Sequence, residues 1–241
     1  MFNVPLRNIV AAICLFIPIC AVAEFEAAYL AWKKGDISKA FQEFEEPLAI
    51  EKLQESAIRD NYSKYILASL YNVGHGVPLD RVKYLDLLNI AANSGIPEAE
   101  DELGSIYYSG WHGFTVDYKK ALYWYGRAAS SNNPNGLHNL ADMYDHGIFV
   151  TRDYNKAIFY FQKAAELGYV HSQNRLGIKY AEGTEIKKNM VNALKWFTIA
   201  AISGNDKAVY NRDRAEKLMS SDDISRAQEL ATSWLKRKKP I

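Results

Sequence analysis

Small, aliphatic and aromatic residues recur along the chain at intervals of 36 or 37 residues. Pairs of adjacent alanines begin at Ala91, Ala128, Ala164 and Ala200. Leucines followed by a small residue keep the same spacing, at Leu67, Leu103, Leu140 and Leu176. A tyrosine follows each leucine by four residues, and a glycine follows each tyrosine by three. Because these series stay in step over four copies, the pattern indicates an internal repeat.

Each repeat is predicted to hold two helices. The leucine, the small residue and the tyrosine fall at i, i+1 and i+4, on one face of a first helix. The glycine that follows is predicted to end this helix, since glycine adopts positive φ at little cost. These glycines are Gly74, Gly110, Gly147 and Gly183. The small residue after the leucine is expected to let a neighbouring helix come close.

A polar residue that can cap a helix then stands before each second helix. These caps are Asp80, Asp117, Asp153 and Asn189. Bulky pairs such as Trp124-Tyr125 lie one turn before the alanines. The second helix is predicted to end at Gly95, Gly168 and Gly204, with Asn132 in the equivalent position of the second repeat. The residues therefore predict an all-α chain of helical hairpins.

The stretches 103–129 and 176–201 resemble the Sel-one-like repeat family, which is related to the tetratricopeptide repeats. The resemblance rests on the spaced Leu-Gly, Tyr, Gly, Trp-aromatic and Ala-Ala residues of these stretches. It implies a right-handed α/α solenoid of stacked helix-turn-helix repeats that serves as a binding scaffold. No common enzymatic activity comes with the family.

The sequence from residue 24 onward is divided into three predicted regions. Residues 24–56 are predicted to form a divergent opening helical unit and a connector, 57–204 four repeats, and 205–241 a helical cap with a basic tail. Closing helices are expected over 206–218 and 222–236, the last capped by Ser221 or Asp222. Its predicted buried face is Ile224, Ala227, Ala231, Trp234 and Leu235.

Residues 1–23 have the pattern of a removable export signal. Arg7 precedes an apolar run, and Ala21-Val22-Ala23 forms an Ala-x-Ala cleavage site. Cleavage there would remove both cysteines, Cys14 and Cys20, so the mature chain would have no thiol. We therefore expect a periplasmic or secreted protein that is not integral to the membrane.

Composition excludes few function classes. The sequence is 49% hydrophobic and 24% charged, as in ordinary globular proteins. Its 29 Lys and Arg residues nearly balance 28 Asp and Glu, which gives no reason to expect a nucleic-acid partner.

A candidate binding face follows from helical periodicity combined with the tetratricopeptide resemblance. Positions two and five residues before and after each repeat leucine share one face of the first helix. The predicted partner-binding residues are Tyr62, Tyr65, Glu98, Asp101, Tyr108, His138, Asp142, Asp145, His171 and Asn174. This set holds four carboxylates and no Lys or Arg, which favours a protein or peptide partner with basic or amide donors. A solvated face that binds nothing is the alternative.

Other residues suggest chemistry only weakly. His138, Asp142 and His146 have the i, i+4, i+8 spacing of metal ligands, but no fourth ligand is evident, so no metal or cofactor is predicted. His75, His112 and Trp111 are expected on loops. Lys236–Lys239 could contact anionic lipid, or could simply complement the dipole of the last helix.

No nucleophile motif or phosphate-binding glycine loop occurs in the sequence. We therefore predict a non-catalytic protein-interaction scaffold of the bacterial envelope or secreted fraction. The alternatives are a cell-wall or β-lactam hydrolase, and an envelope factor that binds peptidoglycan or lipid.

Overall fold

A computed structural model describes residues 19–44 and 47–238 of the chain. These residues form thirteen α-helices and one short 3-10 helix, and they contain no strand. The chain divides into two compact units, of which the first ends at Ile96 and the second begins at Pro97. Within the described residues, no helix is both long and apolar enough to cross a bilayer. The predicted all-α fold of helix-turn-helix repeats is confirmed.

The first unit contains the divergent opening segment and the first repeat. Its helices are α1 (Ile19–Lys33), α2 (Ile37–Glu43), α3 (Pro47–Ala57), α4 (Asn61–Val73) and α5 (Arg81–Asn93). The segment predicted as a connector is thus largely helical, since it forms most of α3. Residues 1–18 of the predicted export signal lie outside the described residues, and its last residues fall within α1.

The second unit contains three helical hairpins and the closing helices. Its elements are α6 (Pro97–Ser109), a 3-10 turn (Trp111–Gly113), α7 (Tyr118–Ser130), α8 (Pro134–His146), α9 (Tyr154–Glu166), α10 (Val170–Glu182), α11 (Met190–Ile202), α12 (Asp206–Glu216) and α13 (Ser221–Lys238). Helices pack in sequence order, and α11 contacts both α12 and α13. The first helices of the three repeats are therefore α6, α8 and α10.

The predicted helix ends are confirmed. The four glycines after the first helices have φ between 70° and 72°. Asn132 has a φ of 57° where the other repeats have Gly95, Gly168 and Gly204 at 87° to 97°. The predicted caps accept hydrogen bonds from backbone N–H groups of the following turn; for example, Asp117 Oδ1 accepts from Lys120 at 3.0 Å.

The small residue after each leucine has a specific packing role in two repeats. A Cβ on Gly104 would lie 2.7 Å from the ring of Tyr125, and a Cβ on Gly177 would lie 2.5 Å from the ring of Phe197. In each case the aromatic ring belongs to the second helix of the same repeat. The missing side chain therefore lets the two helices of a hairpin pack closely.

A backbone hydrogen bond closes each long loop between the two helices of a repeat. The N–H of the capping residue donates to the carbonyl oxygen of the repeat tyrosine. The pairs are Asp80–Tyr71 (3.0 Å), Asp117–Tyr107 (2.8 Å), Asp153–Tyr144 (3.0 Å) and Asn189–Tyr180 (2.9 Å). We call this bond the loop clasp.

The first three repeats add a lysine to the loop clasp. Lys120 lies 3.6 Å from Asp117 and 4.8 Å from the ring centroid of Tyr107. The equivalent contacts are made by Lys83 and Lys156. The fourth repeat has Asn192 at this position and lacks the ion pair. The lysine thus bridges the start of the second helix to the end of the first.

The last helix packs as predicted but is capped by a different residue. Ala227, Ala231 and Trp234 are buried, and Ile224 and Leu235 pack against the same core. The prediction of Ser221 or Asp222 as cap is wrong, because Ser220 Oγ accepts from the N–H of Asp223 at 3.2 Å and donates to its carboxylate at 3.1 Å. The reciprocal bonds to Asp223 favour the residue one position earlier.

Candidate functional site

Eight of the ten predicted binding residues lie in the second unit, on the first helices α6, α8 and α10. Tyr62 and Tyr65 instead lie on α4 of the first unit. There the ring of Tyr62 is 5.9 Å from that of Tyr29 and 6.2 Å from that of Tyr65. The ammonium of Lys33 lies 4.5 Å from the Tyr29 ring and 5.2 Å from the Tyr62 ring. These two predicted residues are thus part of an aromatic cluster with its own cation.

His138 and Asp142 lie at the centre of the face in the second unit. His138 Nε2 is 3.4 Å from Asp142 Oδ2, while Arg175 reaches Asp142 Oδ1 from α10 at 3.3 Å. Burial lowers the pKa of His138 to about 4; Asp142 opposes this shift, and Arg175 adds to it. His138 is therefore neutral at physiological pH.

Asp101 lies on α6 without a cation to balance it. Its Oδ1 accepts a hydrogen bond of 2.8 Å from Asn139, and within the described part of the chain no ion pair involves it. Burial raises the pKa of Asp101 to about 6; the bond from Asn139 opposes the shift, and Glu102 and Glu98 add to it. A further donor would therefore stabilise the ionised form of this carboxylate.

Aromatic rings surround these polar groups. Tyr108 lies 5.4 Å from Tyr118 and 6.3 Å from Tyr125, between ring centroids. Tyr169 lies 5.0 Å from His138 and 5.4 Å from His171, which is exposed. The face therefore offers flat apolar surfaces beside a carboxylate, an arrangement that suits both backbone amides and cationic side chains.

Two of the predicted binding residues face inward instead. Asp145 is only 4% exposed, and Lys179 donates to its Oδ1 at 2.7 Å. Asn174 is buried and accepts a hydrogen bond of 3.0 Å from Asn211. The prediction of a binding role for these two is corrected, since each uses its polar group to join neighbouring helices.

The expectation of a face without basic residues is also wrong, because Arg175 and Lys179 contact two of its carboxylates. Arg175 and Lys179 come from positions one before and three after Leu176, which the spacing rule does not sample. Burial alone would lower the pKa of Lys179, but hydrogen bonds to Asp145 and Glu185 outweigh it and raise the pKa above its usual value. The only sign of these two contacts in the sequence was that long basic side chains flank the buried Leu176.

Ser172, His138 and Asp142 contact one another in the order of a hydrolase triad. A hydrogen bond of 2.8 Å joins Ser172 Oγ to His138 Nδ1, and the other ring nitrogen faces Asp142. Ser172, however, has no exposed surface, since it lies on α10 with its hydroxyl bonded to His138 of α8. A substrate carbonyl cannot reach its hydroxyl in this arrangement.

Two of the three residues with metal-ligand spacing, Asp142 and His146, belong to a group of possible ligand atoms. The ligand atoms of Asp142, Asp145 and His146 lie within 4.8 Å of one another, without His138. Arg175 and Lys179 already hold the two carboxylates, and His146 Nδ1 donates to the carbonyl of Asp142 at 2.9 Å. We assign no metal to this group.

The loop candidates differ from one another. His75 donates from Nε2 to the carbonyl of Phe41 at 2.7 Å and lies 4.8 Å from its ring, so it packs onto α2 rather than extending into solvent. Trp111 is 60% exposed. The side chain of His112 lies outside the described part of the structure.

Comparison with known proteins gives the family. The Sel1 repeat matches residues 61–96, 97–133, 134–169 and 170–205, which is more than half of the chain. Protein sel-1 homolog 2 of Homo sapiens is 36% identical over 153 residues, which are 61% of this chain and 21% of the human protein. The chain thus spans about a fifth of that relative's length.

Two solved structures share the fold. A protective antigen of uropathogenic Escherichia coli strains, described as displaying an SLR fold, matches with a TM-score of 0.67 and 26% identity, over 90% of this chain and 45% of the antigen. A Sel1 repeat protein from Oxalobacter formigenes matches with a TM-score of 0.65 and 24% identity, over 92% and 93% of the two chains. With its four matched repeats and all-helical solenoid fold, the chain belongs to the Sel1 repeat family.

Proposed function

We propose that this protein is a non-catalytic scaffold that binds a polypeptide partner on the partly exposed face of α6, α8 and α10. Proteins with this repeat fold are generally interaction scaffolds. One observation carries the proposal: three successive first helices bring Asp101, His138, Asp142 and His171 together with tyrosine rings. The other sides of these helices pack against neighbours, so this is the side that each repeat leaves for contact.

The partner that this face suits best carries basic or amide donors. Asp101 has one hydrogen bond, from Asn139, and can accept more. Asp142 contacts the neutral His138 and the cationic Arg175, so Arg175 partly balances its charge. Asp101 is therefore the main acceptor for a partner, with Tyr108 and Tyr169 beside it as apolar contacts.

Reversing the charge of this face should prevent partner capture. We expect Asp101→Lys and Asp142→Lys to abolish capture of a partner identified from an envelope extract by mass spectrometry, with an unchanged far-ultraviolet circular dichroism spectrum. Asp86→Lys makes the same change at an exposed carboxylate of α5 and should capture normally. Undiminished capture by both face variants would reject the proposal.

A hydrolase would need a reachable nucleophile, and the buried Ser172 favours the scaffold over this alternative. We expect purified protein not to turn over peptidoglycan or a β-lactam. Turnover that Ser172→Ala or His138→Gln abolishes would instead establish the hydrolase.

We further propose that the protein acts in the periplasm or outside the cell. The support is the residue pattern of 1–23, with its basic residue, apolar run and Ala-x-Ala site. Sequencing the amino terminus of the protein from its native host should give Glu24 as the first residue.

A further inference from the structure

A second exposed surface lies in the second unit, on the side of the second helices. A shallow groove of about 350 Å³ runs between α9 and the end of α13. Its lining includes Asn132, Phe159, Lys163, Glu166, Leu167 and Lys238. We call it the α9–α13 groove. It shares none of these residues with the face formed by α6, α8 and α10.

Two apolar side chains that line the groove are open to solvent. Phe159 is 50% exposed and Leu167 is 49% exposed, although both are large apolar side chains. They lie eight residues apart, about 80° around the helix axis, and both line the groove from α9 and its C-terminal turn. Two such side chains at one recess form an apolar contact surface of the kind that marks interaction sites.

Two basic side chains, Lys163 and Lys238, also line the groove. Lys163 Nζ lies 4.9 Å from the ring centroid of Phe159, and Lys238 Nζ lies 5.6 Å from that of Trp234. Lys195 lies on the next second helix, outside the groove lining, 4.1 Å from the ring centroid of Trp196. Within the described residues, none of these three ammonium groups has a carboxylate within ion-pair distance. They are held by aromatic rings, which leaves their charge available.

The charges around the groove also give this region a positive balance. Burial lowers the pKa of Lys195, Glu166 opposes the shift, and the nearby Arg237 lowers the pKa further. Glu166 is the carboxylate of the groove lining, and its Oε2 accepts a hydrogen bond of 2.8 Å from Trp234 Nε1. The local balance is therefore positive, although the whole chain is nearly neutral.

We infer that the α9–α13 groove binds an acidic polypeptide segment, with an apolar side chain between Phe159 and Leu167 and carboxylates on Lys163 and Lys238. Charge complementarity selects an acidic partner. Phe159 and Leu167 line a concave groove that can receive a side chain of a polypeptide, whereas an element that lies on a bilayer presents a continuous apolar face. The inference is independent of the proposed partner on the opposite helices.

A titration of the 15N-labelled protein with synthetic peptides tests the groove. The probe is a 14-residue peptide rich in Glu with a central Leu-Phe pair. We expect amide shifts to change at residues 159–167 and around Lys238, and not along α8 and α10. Peptides with Gln for every Glu, or with Ser for Leu and Phe, should bind at least tenfold more weakly.

Variants of the chain separate the groove from general charge attraction. Lys163→Glu with Lys238→Glu should weaken binding at least tenfold, and Phe159→Ser at least threefold. Lys187→Glu with Lys207→Glu makes the same charge change at exposed lysines elsewhere in the second unit and should stay within threefold of the unaltered chain. Ile202→Ser, at an exposed position of α11, is the control for Phe159→Ser.

Three results would overturn the inference. One is equal weakening by the groove pair and the control pair, which would reduce binding to net charge. Another is binding to vesicles of phosphatidylcholine and phosphatidylglycerol that depends on Lys163 and Lys238 while the peptide fails to bind. The third is a dimer in sedimentation equilibrium that Lys163→Glu dissociates, which would assign the groove to a second copy of the chain.

Discussion

The ammonium of Lys179 lies 2.7 Å from Asp145 Oδ1, and both side chains are more than nine-tenths buried. A second carboxylate, Glu185, lies 3.1 Å from the same nitrogen. Lys179 belongs to α10 and Asp145 to α8, so the pair links the first helices of consecutive repeats. A buried ion pair adds little over a well-packed apolar pair, but losing one partner leaves an uncompensated charge in the interior.

Removing the lysine should therefore destabilise the second unit strongly. We expect Lys179→Met to lower the free energy of unfolding by about 3 kcal/mol, measured by urea denaturation. The same substitution at Lys156 removes an exposed pair with Asp153 and should cost less than about 1 kcal/mol. Equal costs at the two positions would show that burial of the pair does not matter.

Asp101 and His138 should give opposite pH dependences of stability. Folding raises the pKa of Asp101 from 3.8 to about 6, so the stability gained from its protonated form is present at pH 4 and is lost as the pH rises through 6. Folding lowers the pKa of His138 from 6.5 to about 4, so the stability gained from its neutral form is present above pH 6.5 and is lost as the pH falls through 4. In the unaltered protein the two effects offset each other.

Single substitutions should separate these effects. Relative to the unaltered protein, Asp101→Asn should gain about 2 kcal/mol in stability as the pH rises from 4 to 6, whereas His138→Gln should gain a similar amount as the pH falls from 6.5 to 4. Urea denaturation at half-unit pH steps measures both. Parallel pH profiles for the two variants would contradict the assignment.

Two helical glycines should respond oppositely to alanine. At Gly177 an added Cβ would meet the Phe197 ring at 2.5 Å, whereas at Gly126 it would meet no atom within 4 Å apart from the surrounding helix backbone and the neighbouring residues. Gly177→Ala should lower the free energy of unfolding by about 1 to 3 kcal/mol through overpacking. Gly126→Ala should raise it by about 1 kcal/mol, because alanine has the higher helix propensity. Stabilisation by both would show that the hairpin can relax around Gly177.

The capping residues should contribute measurably to stability. Asp153 Oδ1 accepts from the N–H of Lys156 at 3.0 Å. We expect Asp153→Ala to cost about 1 kcal/mol, measured by urea denaturation, because that N–H loses its partner. Asp153→Asn keeps an acceptor and should retain most of the stability, so an equal loss in both variants would mean that the ion pair with Lys156 dominates.

The helix ends could be predicted from the sequence because they depend on local backbone chemistry. Glycine at positive φ and Asp at a helix start act within a few residues of themselves, so their spacing was enough. The cap of α13 was missed because Ser220, Ser221 and Asp222 are consecutive residues that can all cap a helix. Only the bonds to Asp223 distinguish them.

The binding face was predicted less completely because it depends on contacts between repeats. Periodicity placed Asp101, His138 and Asp142 on one side of their helices. It could not place Arg175 or Lys179, whose long side chains reach carboxylates about 33 residues earlier in the chain. Nor could periodicity show that Asp145 is buried and paired with Lys179, since its burial depends on the neighbouring helix.

The loop clasp has a consequence for how such proteins diversify. The bond from the cap to the tyrosine closes the same junction whether its ends are nine or ten positions apart in the sequence, as the longer segment from Tyr107 to Asp117 shows. The register of the helices is thus decoupled from the length of the intervening segment. Tips such as the one carrying Trp111 are free to lengthen, shorten or exchange their residues, so a single framework can acquire new specificities without being rebuilt.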